Sequence, residues 1–203
     1  MRLTRYTMYN RIASVFPAEG RIKGRVLSIS ELGDLSFVVD HSSSEVVETR
    51  YPAVDMQALP FADASFDAVI SDQVIEHLEN PIKAVDESFR VLKPGGVAIH
   101  TTCFINYHHP SPKDYWRFSP DALLYLCRDF SAVLQCEGWG NRLAILWCFV
   151  GDRFRAMEIP QSRWSIRNWL ATELKRLILM RMTGGIVMII LGLFTLLSAI
   201  RGQ

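Results

Sequence analysis

The chain has 203 residues, a formal net charge of +1 at pH 7 and an isoelectric point near 7.7. That length suits one domain with a full core, and the balanced charge argues against a nucleic acid or a strongly acidic substrate as partner. Four cysteines, Cys103, Cys127, Cys136 and Cys148, fall into no metal-binding spacing and read as reduced thiols of a cytoplasmic domain.

Residues 1–20 are expected to form a helix laid on the domain through Tyr6, Tyr9, Ile12 and Val15, closed by Pro17 and Gly20. The start, MRLTRYTMYNRIASVF, lacks the apolar core of a signal peptide. Residues 21–160 are expected to hold an α/β domain whose first strand is Arg25 to Ser30. The next apolar run, Ser36 to Asp40, begins very soon after Ser30. A parallel crossover takes about a dozen residues or more, so the usual first helix would be shortened or missing.

Phe66 to Ser71 (FDAVIS) is a short apolar run between turn residues, the pattern of a strand buried on both faces. Polar groups gather at Asp72 to Glu79, where that strand would end. After Pro81, Ile82, Val85, Phe89 and Leu92 recur near the 3.6-residue period of a helix. Pro94-Gly95-Gly96 predicts a turn and Val97 to Thr102 (VAIHTT) the next strand, which completes a βαβ unit. Ser119-Pro120-Asp121 predicts a helix start with Ser119 as N-cap. Leu123, Leu124 and Leu126 would face inward in that helix, which would end near Phe130. Ala132 to Glu137 reads as a further strand.

Asp55, Leu59-Pro60-Phe61, Ser65-Phe66-Asp67, Val69, Glu76-His77, Pro81, Glu87 and Arg90 to Gly96 stand in the order of one family's pattern. From Leu27 to about Trp139 the chain closely resembles the class I methyltransferases that use S-adenosyl-L-methionine (SAM), in the type 11 branch. The resemblance implies a Rossmann-like sheet with helices on both faces and SAM as cofactor. The family's first strand runs into a glycine-rich loop. Here Ser28, Ser30 and Gly33 take its place, a departure that implies a reduced first βα unit. The resemblance further implies Asp40 for the ribose hydroxyls, Asp55 with Met56 for the adenine edge, and Asp72 with Gln73 for the methionine moiety.

The segment Cys103 to Phe118 (CFINYHHPSPKDYWRF) resembles a sub-branch of small bacterial methyltransferases found with polysaccharide- or sugar-modifying enzymes. His109 and Asp114 are its catalytic candidates, and His108, Tyr115, Trp116 and Arg117 its acceptor-binding candidates. The aromatic side chains could equally plug the loop onto the sheet. His77 reads mainly as a packing and hydrogen-bonding residue, with a general-base role as the alternative. No metal is expected, because the adjacent His108 and His109 point apart and no helix-spaced carboxylate accompanies them.

Residues 161–203 differ in character. Leu170, Leu174, Leu177 and Ile178 lie among basic residues, and Thr183 to Ile200 is 18 residues without a charge. A helix of that length reaches roughly 27 Å, just under the ~30 Å hydrocarbon core. Arg163, Arg167, Lys175, Arg176 and Arg181 precede it, so a span would leave the domain on the cytoplasmic side of the membrane. A buried core helix is the other reading. The function expected is methyl transfer from SAM to an oxygen or nitrogen of a small polar acceptor such as a sugar or polysaccharide precursor. The alternative is a catalytically degenerate, methyltransferase-like binding or scaffold protein at the membrane.

Overall fold

The computed structural model describes residues 3–106 and 108–138, all within the first of two units, Met1–Met157 and Glu158–Gln203. The apolar segment 183–200 lies outside the described residues. Among the described residues no helix is long and apolar enough to cross a membrane.

Four parallel strands form the sheet: β1 (Ile22–Ile29), β2 (Val39–Thr49), β3 (Phe66–Asp72) and β4 (Leu92–Thr101), in the order β2-β1-β3-β4. The inner strands β1 and β3 bury consecutive residues, because apolar layers cover both faces. Leu27, Ile29 and Val69 pack on one face with α2 (Pro81–Val91) and α3 (Pro120–Leu126). Val26, Ala68, Ile70 and Ile99 pack on the other with α1 (Leu3–Val15) and a 3-10 helix, Gly33–Val38. Helices on both faces of a parallel sheet are the layered α/β arrangement the sequence predicts.

The second strand is not where the apolar run suggested. Ser36 to Val38 belong to the 3-10 helix, whose Leu35 and Val38 are buried, and β2 starts at Val39 beside Ile22. The short crossover succeeds because a 3-10 helix rises about 2.0 Å per residue, against ~1.5 Å for an α-helix. It therefore carries the chain farther back along the sheet in the same number of residues. β2 ends the described sheet on one side, which lets its polar stretch His41 to Glu45 stay largely solvated.

Four smaller expectations are also corrected. Pro94-Gly95-Gly96 is not a turn before a strand but part of β4, at a register irregularity opposite Phe66 and Ala68. The buried face of α2 is Pro81, Ala84, Val85, Ser88 and Val91, while Ile82 and Phe89 are exposed. Phe89 packs edge-on against Phe130, with ring centroids 5.2 Å apart. In α3, capped by Ser119 as expected, Leu126 is buried but Leu124 is exposed. Residues 132–137 form no strand; Val133 and Leu134 are exposed and have no strand to pair with among the described residues.

The family motifs have local structural work. The carboxylate of Asp67 accepts from Arg25 N and Lys93 Nζ, both at 2.8 Å, and so ties the amino ends of β1, β3 and β4. It sits where a side chain at residue 24 would go: a Cβ on Gly24 would stand 2.4 Å from Asp67 Oδ2, and Gly24 has φ +93°. Only glycine fits there. Gly96 is similarly confined, its notional Cβ lying 2.9 Å from Lys93 O and 3.0 Å from Asp67 O.

Candidate active site

β1 is followed by a neighbour on one side (β2) and β3 by a neighbour on the other (β4), so the chain reverses direction between β1 and β3. The crevice beyond the carboxyl ends of strands at such a reversal is where open α/β sheets bind ligands. The registers bring Ile29, Thr49 and Ser71 level there, with Asp72 beside Thr101.

Several predicted residues meet at this edge. Ser28 is buried, and its Oγ has no partner among the described residues. Ser30 follows with φ +75° and donates its N–H to Thr49 O at 2.8 Å. Gln73, with φ +57°, donates from its backbone to Thr101 O at 3.0 Å and from Nε2 to Thr101 Oγ1 at 3.2 Å. Two non-glycine residues in left-handed backbone at one strand edge is the kind of strain that clusters at ligand sites. Gly33, also left-handed at φ +50°, opens the 3-10 helix instead of a glycine-rich loop.

Asp72 is closed in from α1. Its Oδ2 accepts from the Tyr9 hydroxyl at 2.6 Å and from Arg5 Nη1 at 3.4 Å, while Oδ1 accepts from the Thr101 hydroxyl. Desolvation and the Asp72 carboxylate push the Tyr9 phenol well above its usual range, so it remains a donor. Asp55 lies in the loop after β2, half-buried beside the buried Met56. Its Oδ1 accepts from Gln57 N at 2.8 Å.

Asp40 is displaced from the role the resemblance implied. It lies at the amino end of β2, one residue after the Val39–Ile22 pair, and accepts from Ser42 N and Ser42 Oγ. The carboxyl end of β2 carries Glu48 instead, whose Oε1 accepts from Leu32 N at 3.2 Å. The signal for Glu48 was the β-branched run Val46-Val47 closed by Glu48-Thr49, hidden behind the polar stretch before it.

The loop after β4 folds back over the 3-10 turn Ile75–His77. Tyr115 N and Trp116 N donate to Glu76 O at 2.9 and 3.1 Å, and Trp116 Nε1 donates to Leu78 O at 2.8 Å. His77 Nδ1 donates to Lys113 O at 2.6 Å. Arg117 forks onto both oxygens of Asp114, and the Asp114 carboxylate also accepts His109 N at 2.8 Å. The Arg117 pairing holds the Asp114 carboxyl far below the usual carboxylate range, which makes it a weak proton acceptor and an anchor for the loop. Its Oδ2 stands 3.3 Å from His109 Nδ1. The His109 ring meets His77 edge-on at 4.9 Å, while His108 is exposed.

His100, on β4, was not singled out in the sequence. Ser71 Oγ stands 2.8 Å from its Nδ1, and its Nε2 is shut from solvent without a partner among the described residues. Burial pushes its pKa down from 6.5 to about 4. The folded state therefore resists protonation where the unfolded chain accepts it. Stability from this residue is complete above pH 6.5 and declines as pH falls towards about 4, by ~1.4 kcal/mol per pH unit at most. Urea unfolding at several pH values should show that slope in the wild type and a flatter one in His100→Gln. Identical slopes would remove His100 from the account.

Residues 34–100 match a family model described as a methyltransferase domain. Over this stretch, about a third of the chain, the sequence is similar to methyltransferases of the type 11 branch. A probable SAM-dependent methyltransferase of Mycolicibacterium smegmatis is 46% identical over 68 residues, 31% of this chain and 26% of that one. A malonyl-[acyl-carrier protein] O-methyltransferase of Enterobacter lignolyticus is 34% identical over 101 residues, 45% of this chain and 40% of that one. The chain thus spans well under half the length of either relative. Among solved structures, the YcgJ protein of Bacillus subtilis is 21% identical and covers 45% of this chain and 48% of its own, with a TM-score of 0.32. In this matched stretch the shared motifs are the structural ties described above, and the departures gather at the carboxyl edge of the sheet.

Proposed function

We propose that the chain binds SAM at the β1–β3 reversal and transfers its methyl group to an oxygen or nitrogen of a small polar acceptor, a sugar or polysaccharide precursor being the class favoured. The observation that carries this reading is the buried Ser28 hydroxyl, without a partner among the described residues, at an edge that also bears Glu48 and two left-handed residues, with Asp55 in the loop that follows β2. These groups fit a nucleoside: Glu48 would take the ribose hydroxyls and Asp55 the adenine amino group, since carboxylates accept from both. Bound SAM supplies an activated methyl on a sulfonium, so the protein's part is alignment and exclusion of water rather than a nucleophile. The half-exposed faces of Tyr115 and Trp116 and the loop anchored by Asp114 and Arg117 would form the acceptor wall.

The competing reading is a methyltransferase-like scaffold. It is favoured by one observation, that Asp72 is satisfied from within by Tyr9, Arg5 and Thr101. Calorimetric titration of SAM and its demethylated product into the full chain separates the two. Micromolar binding is expected, weakened tenfold or more, about 1.4 kcal/mol, by Glu48→Ala and by Asp55→Ala but unchanged by Asp40→Ala. No binding by the folded chain would support the scaffold. The uncharged segment 183–200 and the basic residues before it further support attachment to the cytoplasmic face of a membrane. Flotation of the full chain with anionic vesicles tests it; a chain that stays in the soluble fraction would not be anchored.

A further inference from the structure

The turn after β3 and the loop after β4 bring together three side chains to which the function proposed above gives no part: Glu76, His77 and His109. Glu76 is fully buried. Its Oε2 accepts from Thr102 Oγ1 at 2.9 Å, but Oε1 is buried with no hydrogen-bond partner among the described residues. Arg5 and Arg117 lie near enough for their charges to act on Glu76, but the hydrogen bonds they make go to Asp72 and Asp114. A buried carboxylate oxygen left without a hydrogen-bond donor is disfavoured.

His77 sharpens the problem. Its Nδ1 faces Lys113 O at 2.6 Å, and a carbonyl only accepts, so the proton is on Nδ1. In the neutral ring Nε2 then carries a lone pair, and it stands 3.9 Å from Glu76 Oε1. Two acceptors face each other across a gap too long for a hydrogen bond. One ring nitrogen of His109 completes the group: one ligand atom from each of the three residues lies within 4.8 Å of the others. His109 is oriented by Asp114, whose Oδ2 is 3.3 Å from its Nδ1. Imidazoles steered by a carbonyl and by a carboxylate are how proteins orient metal-binding histidines.

We propose that Glu76, His77 and His109 bind a divalent first-row transition metal, with zinc as the reference ion. Two imidazoles and one carboxylate make a ligand set that leaves at least one position for water or an oxygen ligand. A tetrahedral zinc with bonds of about 2.0–2.1 Å holds its ligand atoms roughly 3.3–3.4 Å apart. The 3.9 Å Glu76–His77 separation and the wider ones, all within 4.8 Å, therefore contract by side-chain rotation when the ion binds. The pattern was illegible in the sequence because the pairing is between His109 and the distant His77, not its neighbour His108.

The test is titration of the untagged full chain with Zn2+, and with Co2+ followed by its visible absorption, both without SAM. The result therefore does not depend on the methyltransferase reading. One ion per chain with micromolar or tighter affinity is expected, with Co2+ bands typical of nitrogen and oxygen ligands. Glu76→Gln and His109→Gln should each weaken binding about 10–100-fold, while His41→Ala, at the far end of the sheet, leaves it unchanged. Thermal melts of each variant confirm that it is folded before binding is compared. Absence of stoichiometric binding by the wild type overturns the proposal. So does an affinity that the folded Glu76→Gln and His109→Gln variants share with the wild type.

Discussion

Tyr9→Ala is expected to cost the fold about 3–5 kcal/mol, the loss typical of truncating a fully buried aromatic ring. Tyr9 is wholly buried in a cluster with Ile22, Val26, Leu35, Val38 and Ile70, so its ring is the most deeply buried part of α1's seat on the sheet, beside the partly buried Met8 and Ile12. Its hydroxyl adds a charge-assisted bond to Asp72 at 2.6 Å. Tyr9→Phe keeps the ring and removes only that bond, which should cost about 1–3 kcal/mol. Denaturant unfolding of the two variants separates packing from hydrogen bonding. A Tyr9→Ala protein within about 1 kcal/mol of the wild type would show that α1 contributes little to the domain.

The second large effect is at Arg90. Its guanidinium donates to Glu87 Oε1 from Nε and to Glu87 Oε2 from Nη2, both at 2.8 Å. It also reaches Phe61 O at 2.8 Å and Leu59 O at 3.0 Å, and Glu87 Oε2 accepts Leu59 N at 2.8 Å. The pair thus clamps the Leu59-Pro60-Phe61 segment to α2. Arg90→Ala should destabilise by roughly 2–4 kcal/mol, because two carbonyls and a carboxylate lose charged donors together. Arg90→Lys should recover little of it, since an ammonium cannot reproduce the planar fork. The further partner Asp63 is 78% exposed, so Asp63→Ala should stay within about 0.5–1 kcal/mol of the wild type. If Arg90→Ala unfolded no more readily than Asp63→Ala, the clamp would not exist as described.

These two residues also show what could be read in advance. Arg90 and Glu87 were legible as family motif but not as a clamp, because their partners lie in a loop about thirty positions away. The FDAVIS strand and the helix after Pro81 were legible from periodicity, a local property. Phe89 was misassigned to the buried face because that period tolerates it, and only the position of Phe130 gives an exposed ring something to pack on. Asp40 was misplaced for a related reason. The apolar run Phe37-Val38-Val39 has a strand's composition, yet burial of Leu35 and Val38 coils its first part into the 3-10 crossover.

The sequence by itself determined the α/β class, the central βαβ unit, the reduced first crossover and the methyltransferase resemblance. All of these rest on local periodicity, turn chemistry and motif order, which neighbouring residues carry between them. Only the tertiary structure decided that Glu48 rather than Asp40 lies near the carboxyl end of β2, that Tyr9 closes on Asp72, and that Glu76, His77 and His109 converge. Those are facts of register and of segments meeting across the sheet, and register depends on how both apolar faces are buried at once.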